Sequence, residues 1–145
     1  MYDHLLVPVS GDELSDRAIT ASLELARKLG ARVTGFIAEP FVTAAPGLGL
    51  GYTRAVDRHD SDVEAHARQV LARFEAQAAA AGVPYASHYM QSNNIEDAIL
   101  AVAAERGCDL IVMATHGRSG FGELLWGSHT KNLVSRAKVP LLVLH

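Results

Sequence analysis

The apolar positions of the chain form five short runs, and stretches with helical spacing separate them. Most of these runs are apolar at successive positions, which is typical of strands covered on both faces in a parallel sheet. The third run alternates with polar residues, which predicts an edge or partly exposed strand. The five runs cover residues 4–9, 31–37, 83–90, 109–114 and 139–144.

The first two predicted helices are defined by apolar spacing and by the residues that stop them. The first carries apolar residues at positions 19, 23 and 26 and ends at Gly30, since glycine is common just past a helix end. The second covers residues 60–81, and the Gly-Val-Pro segment that follows stops it.

The other two predicted helices follow the third and fourth strands. One begins near Asn94, a favourable N-cap, and ends before Gly107. The last covers residues 128–137. Its spacing predicts an inward face made of Thr130, Leu133, Val134 and Ala137.

Strands that alternate with helices predict an α/β fold, with parallel crossovers and helices on both faces of one sheet. The one long connection runs from Ala38 to Asp57 and is rich in glycine and proline. Connections beyond about 12–15 residues in a compact domain are usually functional or disordered. We therefore favour a mobile lid over a passive loop for this segment.

Length and composition narrow the class of protein. A chain of 145 residues is expected to form a single domain, residues 1–145. The lone Cys108 excludes an internal disulfide, and packing is its favoured role over reactivity. No apolar run is long enough to span a bilayer, and no secretory signal is recognisable. The net charge of -3 argues against nucleic acid and membrane partners, so we expect a cytoplasmic protein.

The segment after the fourth strand carries the strongest chemical signal. In parallel sheets, ligands bind beyond the carboxyl ends of the strands, where the strand order reverses. Gly117 and Gly120 lie there, and Gly127 and Ser128 follow at the start of the last helix. Unpaired N–H groups at a helix start favour phosphate, and Arg118 could add a charge-assisted contact. A glycine-rich turn with Ser128 as a plain N-cap remains the alternative.

Other motifs are weaker. No lysine of the Walker A type follows the glycines, so the segment is not a standard NTPase phosphate loop. His59 and His66 could share a helix face, but exposed positions explain them better than a metal site. Ser119 lacks the second glycine of a nucleophile elbow.

The chain resembles the universal stress protein family over essentially its whole length, from the run at residues 2–9 to the run at 139–144. Nucleotide-binding members carry glycine, two residues, glycine, nine residues, then glycine and serine or threonine. Here that pattern falls on Ala114, Gly117, Gly127 and Ser128, and only the first glycine is replaced.

The resemblance implies a doubly wound five-stranded parallel sheet with strand order 3-2-1-4-5, which binds ATP with or without Mg²⁺. It also implies a homodimeric stress-response regulator with at most slow ATP hydrolysis. By position, the implied nucleotide-binding residues are Pro8, Val9, Ser10, Ala38, Met113, Ala114, Thr115, His116, Gly117, Arg118, Ser119, Gly120, Gly127, Ser128, His129 and Thr130.

Two departures from the family pattern keep alternatives open. Many ATP-binding members have aspartate where this chain has Ser10, so a protein-interaction module of the same fold that has lost nucleotide binding is the second hypothesis. An enzyme of adenylate chemistry ranks third, because no pair of nucleophile and base emerges. Ala114 in place of glycine is harmless if the position ends a strand, which the continuous run before it favours.

The last strand predicts a dimer independently of the resemblance. Residues 141–144 are apolar and lie almost at the chain end, and Pro140 stands where a strand can begin. An uncovered apolar edge is an aggregation hazard unless another strand pairs with it. We therefore expect a symmetric partner at this edge, with coverage by the chain's own loops as the alternative.

Overall fold

The computed structural model describes residues 1–11, 13–41, 49–114 and 128–144. They form a five-stranded parallel sheet in the order β3-β2-β1-β4-β5, which confirms the predicted fold. The strands are β1 (His4–Pro8), β2 (Arg32–Glu39), β3 (Tyr85–Gln91), β4 (Leu110–Ala114) and β5 (Leu141–Leu144). The described helices are α1 (Glu13–Leu29), α2 (Gly49–Ala81), α3 (Ile95–Arg106) and α4 (Ser128–Arg136).

Each face of the sheet carries its own apolar core. Successive side chains of a strand point to opposite faces, so Leu5 and Leu6 are both fully buried but in different layers. The core beneath α1 and α2 centres on Phe74, and the core beneath α3 and α4 on Phe36. The predicted alternating strand, β3, lies at one edge as expected, and β5 lies at the other.

Local signals set both ends of α3 and the end of α1 as predicted. The side chain of Asn94 accepts a hydrogen bond from the backbone N–H of Asp97 at 3.0 Å and so caps α3. Gly107 follows α3 with φ 68°, in the left-handed region that favours glycine, and Gly30 does the same after α1 with φ 67°.

The second helix is longer than predicted. It begins at Gly49 rather than near Asp60, so the long connection from Ala38 to Asp57 contains helix, and the prediction that all of it is a loop is wrong. Between 49 and 59, only Val56 is buried among the side chains described. Because this part of α2 buries so little apolar surface, apolar spacing carried no signal of it. Residues 42–48 of the predicted lid lie outside the described part.

One inward position of the last helix was also predicted wrongly. Leu133 is buried against the core, but Val134 is 59% exposed. A helix turns by about 100° per residue, so a narrow contact with its neighbours covers one of two adjacent apolar residues. Here α4 packs at the side of the sheet near its edge, and the contact with α3 leaves Val134 facing solvent.

Candidate functional site

The strand order reverses between β1 and β4. β1 pairs with β2 on one side and with β4 on the other, all in parallel, so their carboxyl ends meet at the same edge of the sheet. This carboxyl edge brings the predicted residues 8–10 and 113–114 together, with Ala38 at the end of the neighbouring β2. Such a reversal is where ligands bind in open α/β sheets.

The turn after β1 is held by defined hydrogen bonds. The N–H of Val9 donates to the carbonyl of Phe36 at 2.8 Å, which ties the turn to β2. The N–H of Ser10 donates to Ser15 Oγ at 2.7 Å, and the two hydroxyl oxygens lie 3.2 Å apart. Ser10 therefore directs its polar groups towards the first turns of α1, where they fix the shape of the turn.

The end of β4 has ordinary strand geometry. Ala114 is the last residue of the strand and pairs with Leu144 of β5. Among the described residues, none other than glycine has a positive φ, so alanine fits this position without strain, and the prediction that the position ends a strand is confirmed. The side chain of Met113 is 1% exposed and packs in the core near α3. Met113 can therefore reach a ligand only through its backbone.

The end of β2 places a small residue beside a charged one. Ala38 is half-buried and packs against the core near α3, while Glu39 points to the opposite face. Burial raises the pKa of the Glu39 carboxyl, and the nearby charge of His66 opposes that shift. A carboxylate and an imidazole thus lie near each other at this edge.

Much of the predicted phosphate site lies outside the described residues. This holds for Thr115, His116, Gly117, Arg118, Ser119, Gly120 and Gly127. Ser128, His129 and Thr130 form the first turn of α4, and the helix begins at Ser128 as predicted. A helix start carries unpaired N–H groups and about half a positive charge, which suits an anion.

Sequence reasoning missed a close contact at this edge. A Cβ built on Gly11 would collide with Nε2 of His66 on α2, and would lie 3.0 Å from Cδ2 and 3.3 Å from Cε1. Gly11 has no positive φ, so close approach rather than backbone conformation explains why glycine fits here. The only sequence signal is a glycine directly after Ser10, and nothing in the sequence connects it to α2.

The remaining candidate groups have structural explanations. Cys108 is 5% exposed, and burial is the main reason that the pKa of its thiol is raised to about 11, so its packing role is supported. His59 and His66 are exposed, as expected. Within the described ranges, no group of three or more metal-binding side chains occurs, and no helix is both long and apolar enough to cross a membrane.

Comparisons with known proteins agree with this arrangement. The chain is 26% identical to the universal stress protein YxiE of Bacillus subtilis over 147 residues, covering 99% of both proteins. The universal stress protein UspA of Lactobacillus plantarum has the same fold, with a TM-score of 0.80, 20% identity and coverage of 99% of this chain and 98% of that one.

A second solved structure is a universal stress protein of Archaeoglobus fulgidus in complex with dAMP. It shares the fold with a TM-score of 0.67, 18% identity and coverage of 99% of this chain and 98% of that one. The model of the universal stress protein family matches residues 1–145, and the chain therefore belongs to that family.

Proposed function

We propose that this chain is an ATP-binding stress-response regulator, in which residues 1–145 act as one nucleotide-binding domain in the cytoplasm. One observation carries the proposal. The turn after β1, the end of β2 and the end of β4 converge at the reversal of strand order. That convergence is the usual location of a nucleotide in an open parallel sheet.

The adenosine is assigned to the end of the site nearer β2, against Pro8, Val9, Ser10 and Ala38. Val9 is 8% exposed and Ala38 is half-buried, so they present small, mostly apolar surfaces to a base. The hydrogen bond from Val9 to Phe36 holds the two segments next to each other. A small, largely apolar surface of this kind suits a flat aromatic ring.

The phosphates are assigned to the segment from Ala114 to Gly120 and to the first turn of α4, which Gly127 precedes. Ser128, His129 and Thr130 begin that helix, so their backbone N–H groups lack intrahelical partners. Backbone donors at a helix start bind phosphate without a dedicated lysine. Arg118 would add a charge-assisted contact.

A fold neighbour supports an adenine nucleotide as the ligand. The Archaeoglobus fulgidus protein with the same architecture is in complex with dAMP. The finer proposal for this chain is ATP, with or without Mg²⁺, because the family pattern assigns phosphate contacts both to residues 114–120 and to the start of α4. None of the assigned residues is a carboxylate, whereas phosphoryl transfer usually needs carboxylates for metal and base. We therefore assign regulation, with at most slow hydrolysis.

The proposal includes a homodimer through β5. That strand ends the sheet, and Leu142 is 38% exposed on it. A second copy pairing with this edge would satisfy its backbone groups and cover the apolar side chains. Sedimentation of the purified protein as a monomer at micromolar concentration would contradict the dimer.

The decisive experiment is calorimetric titration of the wild-type protein with ATP and AMP, with and without Mg²⁺. The variant Ser128→Glu places a negative charge at the assigned phosphate position, so ATP binding is expected to fall at least about tenfold, equivalent to 1.4 kcal/mol. The matched control is Ser135→Glu, at an exposed position near the other end of the same helix. Equal ATP affinity in both variants would overturn the phosphate assignment.

One observation favours the second candidate, an interaction module of the same fold without a nucleotide. Ser10 stands at the position where many family members carry aspartate, and its N–H and hydroxyl both face Ser15. Those groups already form hydrogen bonds within the protein and so have less capacity to bond a nucleoside. No heat of binding with any adenine nucleotide in the wild-type titration would select this candidate.

A further inference from the structure

His66 lies against the turn that carries the assigned nucleoside contacts. It is on α2, far along the chain, yet its imidazole occupies the space into which a Cβ on Gly11 would extend. Gly11 directly follows residues 8–10 and precedes α1. The contact therefore joins the helix over one face of the sheet to the turn at its carboxyl edge.

The same imidazole acts electrostatically on the end of β2. Glu39 is the last residue of that strand; burial raises the pKa of its half-buried carboxyl, and the charge of His66 opposes that shift. Ala38, the assigned contact on β2, immediately precedes Glu39. His66 is thus near both segments that are assigned to the nucleoside.

We propose that His66 is a positioning residue for the nucleoside end of the site, whose ring on Gly11 fixes the turn after β1 relative to the end of β2. The inference rests on the proposed function, since it concerns affinity for the same nucleotide. His66 has no assigned contact with the ligand and acts through the backbone at Gly11.

The ring of His66 supports the turn after β1 from outside. Without His66, the described contacts that hold the turn are the Val9–Phe36 hydrogen bond and the Ser10–Ser15 contacts. Both sets of contacts hold Val9 or Ser10, which precede Gly11. Without His66, Gly11 itself would therefore contact water where the ring now lies. Binding sites need their groups held within about 0.5 Å of the productive geometry. Loss of the ring is expected to loosen the turn and to lower the affinity for the nucleoside part of the ligand, but not for the phosphates.

The test compares the wild-type protein with three variants, each titrated with adenosine, AMP, ATP and inorganic tripolyphosphate. His66→Ala is expected to lower the affinities for adenosine, AMP and ATP by the same factor, about fivefold to tenfold, because residues in contact typically have coupled energies of this order. Its affinity for tripolyphosphate is expected to stay unchanged. His66→Gln keeps a nitrogen near Gly11 and should restore most of the affinity. The matched control, His59→Ala, removes another exposed histidine of α2 and should bind like wild type.

A double-mutant cycle tests the contact itself. Gly11→Ala places a methyl group where the exposed ring of His66 lies and so displaces the ring from the turn; it should weaken adenosine binding about as much as His66→Ala does. Adding His66→Ala to Gly11→Ala removes a ring that is already displaced, so the double variant should bind adenosine about as well as either single variant. Additive losses would show that the two residues are not coupled and would overturn the inference.

The titrations give different results if His66 lacks this role than if the protein binds no adenine nucleotide. Wild-type binding together with unchanged affinity in His66→Ala would overturn only the role of His66. An equal loss of tripolyphosphate affinity in His66→Ala, or no recovery in His66→Gln, would also overturn it. Absence of adenosine, AMP and ATP binding in both the wild-type protein and His59→Ala would refute the proposed function, and this inference with it.

Discussion

The two edges of the central strands differ in how their polar groups are used. At the amino edge, Asp109 accepts hydrogen bonds from the backbone N–H groups of Asp3 at 2.8 Å and His4 at 3.0 Å. The ring of His4 is 6% exposed, and its Nε2 lies 2.7 Å from the hydroxyl of Thr34 on β2. Side chains from β1, β2 and the residue before β4 thus satisfy one another and the nearby backbone N–H groups by hydrogen bonds within the protein.

At the carboxyl edge, the described residues are more open. Ser10, Ala38 and Glu39 are only half-buried, and Gly11 is exposed apart from the close approach of His66. The hydrogen bonds there shape turns, and they include one from the backbone N–H of Phe41, just after β2, to the side-chain oxygen of Asn93 at 3.1 Å. The buried polar groups of the amino edge support a role in stability, and the more open carboxyl edge is where we propose that the ligand binds.

The largest expected effect is at the amino edge. Asp109→Ala leaves two backbone N–H groups without their acceptor, and hydrogen bonds to charged groups are worth about 1.5–3 kcal/mol. We expect a loss of that size in the free energy of unfolding, measured by urea denaturation, with unchanged ATP affinity in the folded protein. Asp109→Asn keeps one acceptor oxygen and should lose less. A selective fall in ATP affinity would break the contrast between the edges.

An intermediate effect concerns acid stability. Burial, aided by the charge of Arg32, lowers the pKa of His4 below its ordinary value of 6.5. The other charged groups that act on it are Arg106 of α3 and Asp109 before β4, and its buried Nδ1 has no hydrogen-bond partner among the described residues. The unfolded chain therefore takes up a proton near pH 6.5, while folded His4 resists protonation.

The free energy of unfolding should consequently fall as the pH drops below about 6.5, until folded His4 is itself protonated. One proton can contribute a slope of at most about 1.4 kcal/mol per pH unit. Urea denaturation between pH 7.5 and 5 measures the slope, and His4→Gln should flatten it. Identical slopes in the two proteins would assign the acid sensitivity to other groups.

The smallest expected effect is near the carboxyl edge. Arg68 on α2 pairs with Glu64 at 2.8 Å and lies 5.6 Å from the centre of the Tyr89 ring, but its side chain is 65% exposed. Solvent screening limits such contacts, so Arg68→Ala should cost about 0.5 kcal/mol, and less in high salt. A loss as large as that of Asp109→Ala would show that both edges are equally important for stability.

The fold was predictable because its signals are local or periodic. Apolar runs indicated the strands, and Gly30 and Asn94 marked helix ends that the structure confirms. The start of α2 was missed because its first turns bury so little, and Val134 was misassigned because spacing cannot tell how wide a helix contact is. For the site, the family pattern indicated the segments, and the structure brings the described ones to the same edge.

The order of the strands and helices and the family of the chain could be predicted without coordinates, since both depend on residues close together along the chain or on a fixed spacing. The contact of His66 with Gly11 and the hydrogen bonds of Asp109 at the start of β1 could be found only in the folded protein. Those contacts join residues that are distant in sequence, so they exist only once the helices and strands have packed.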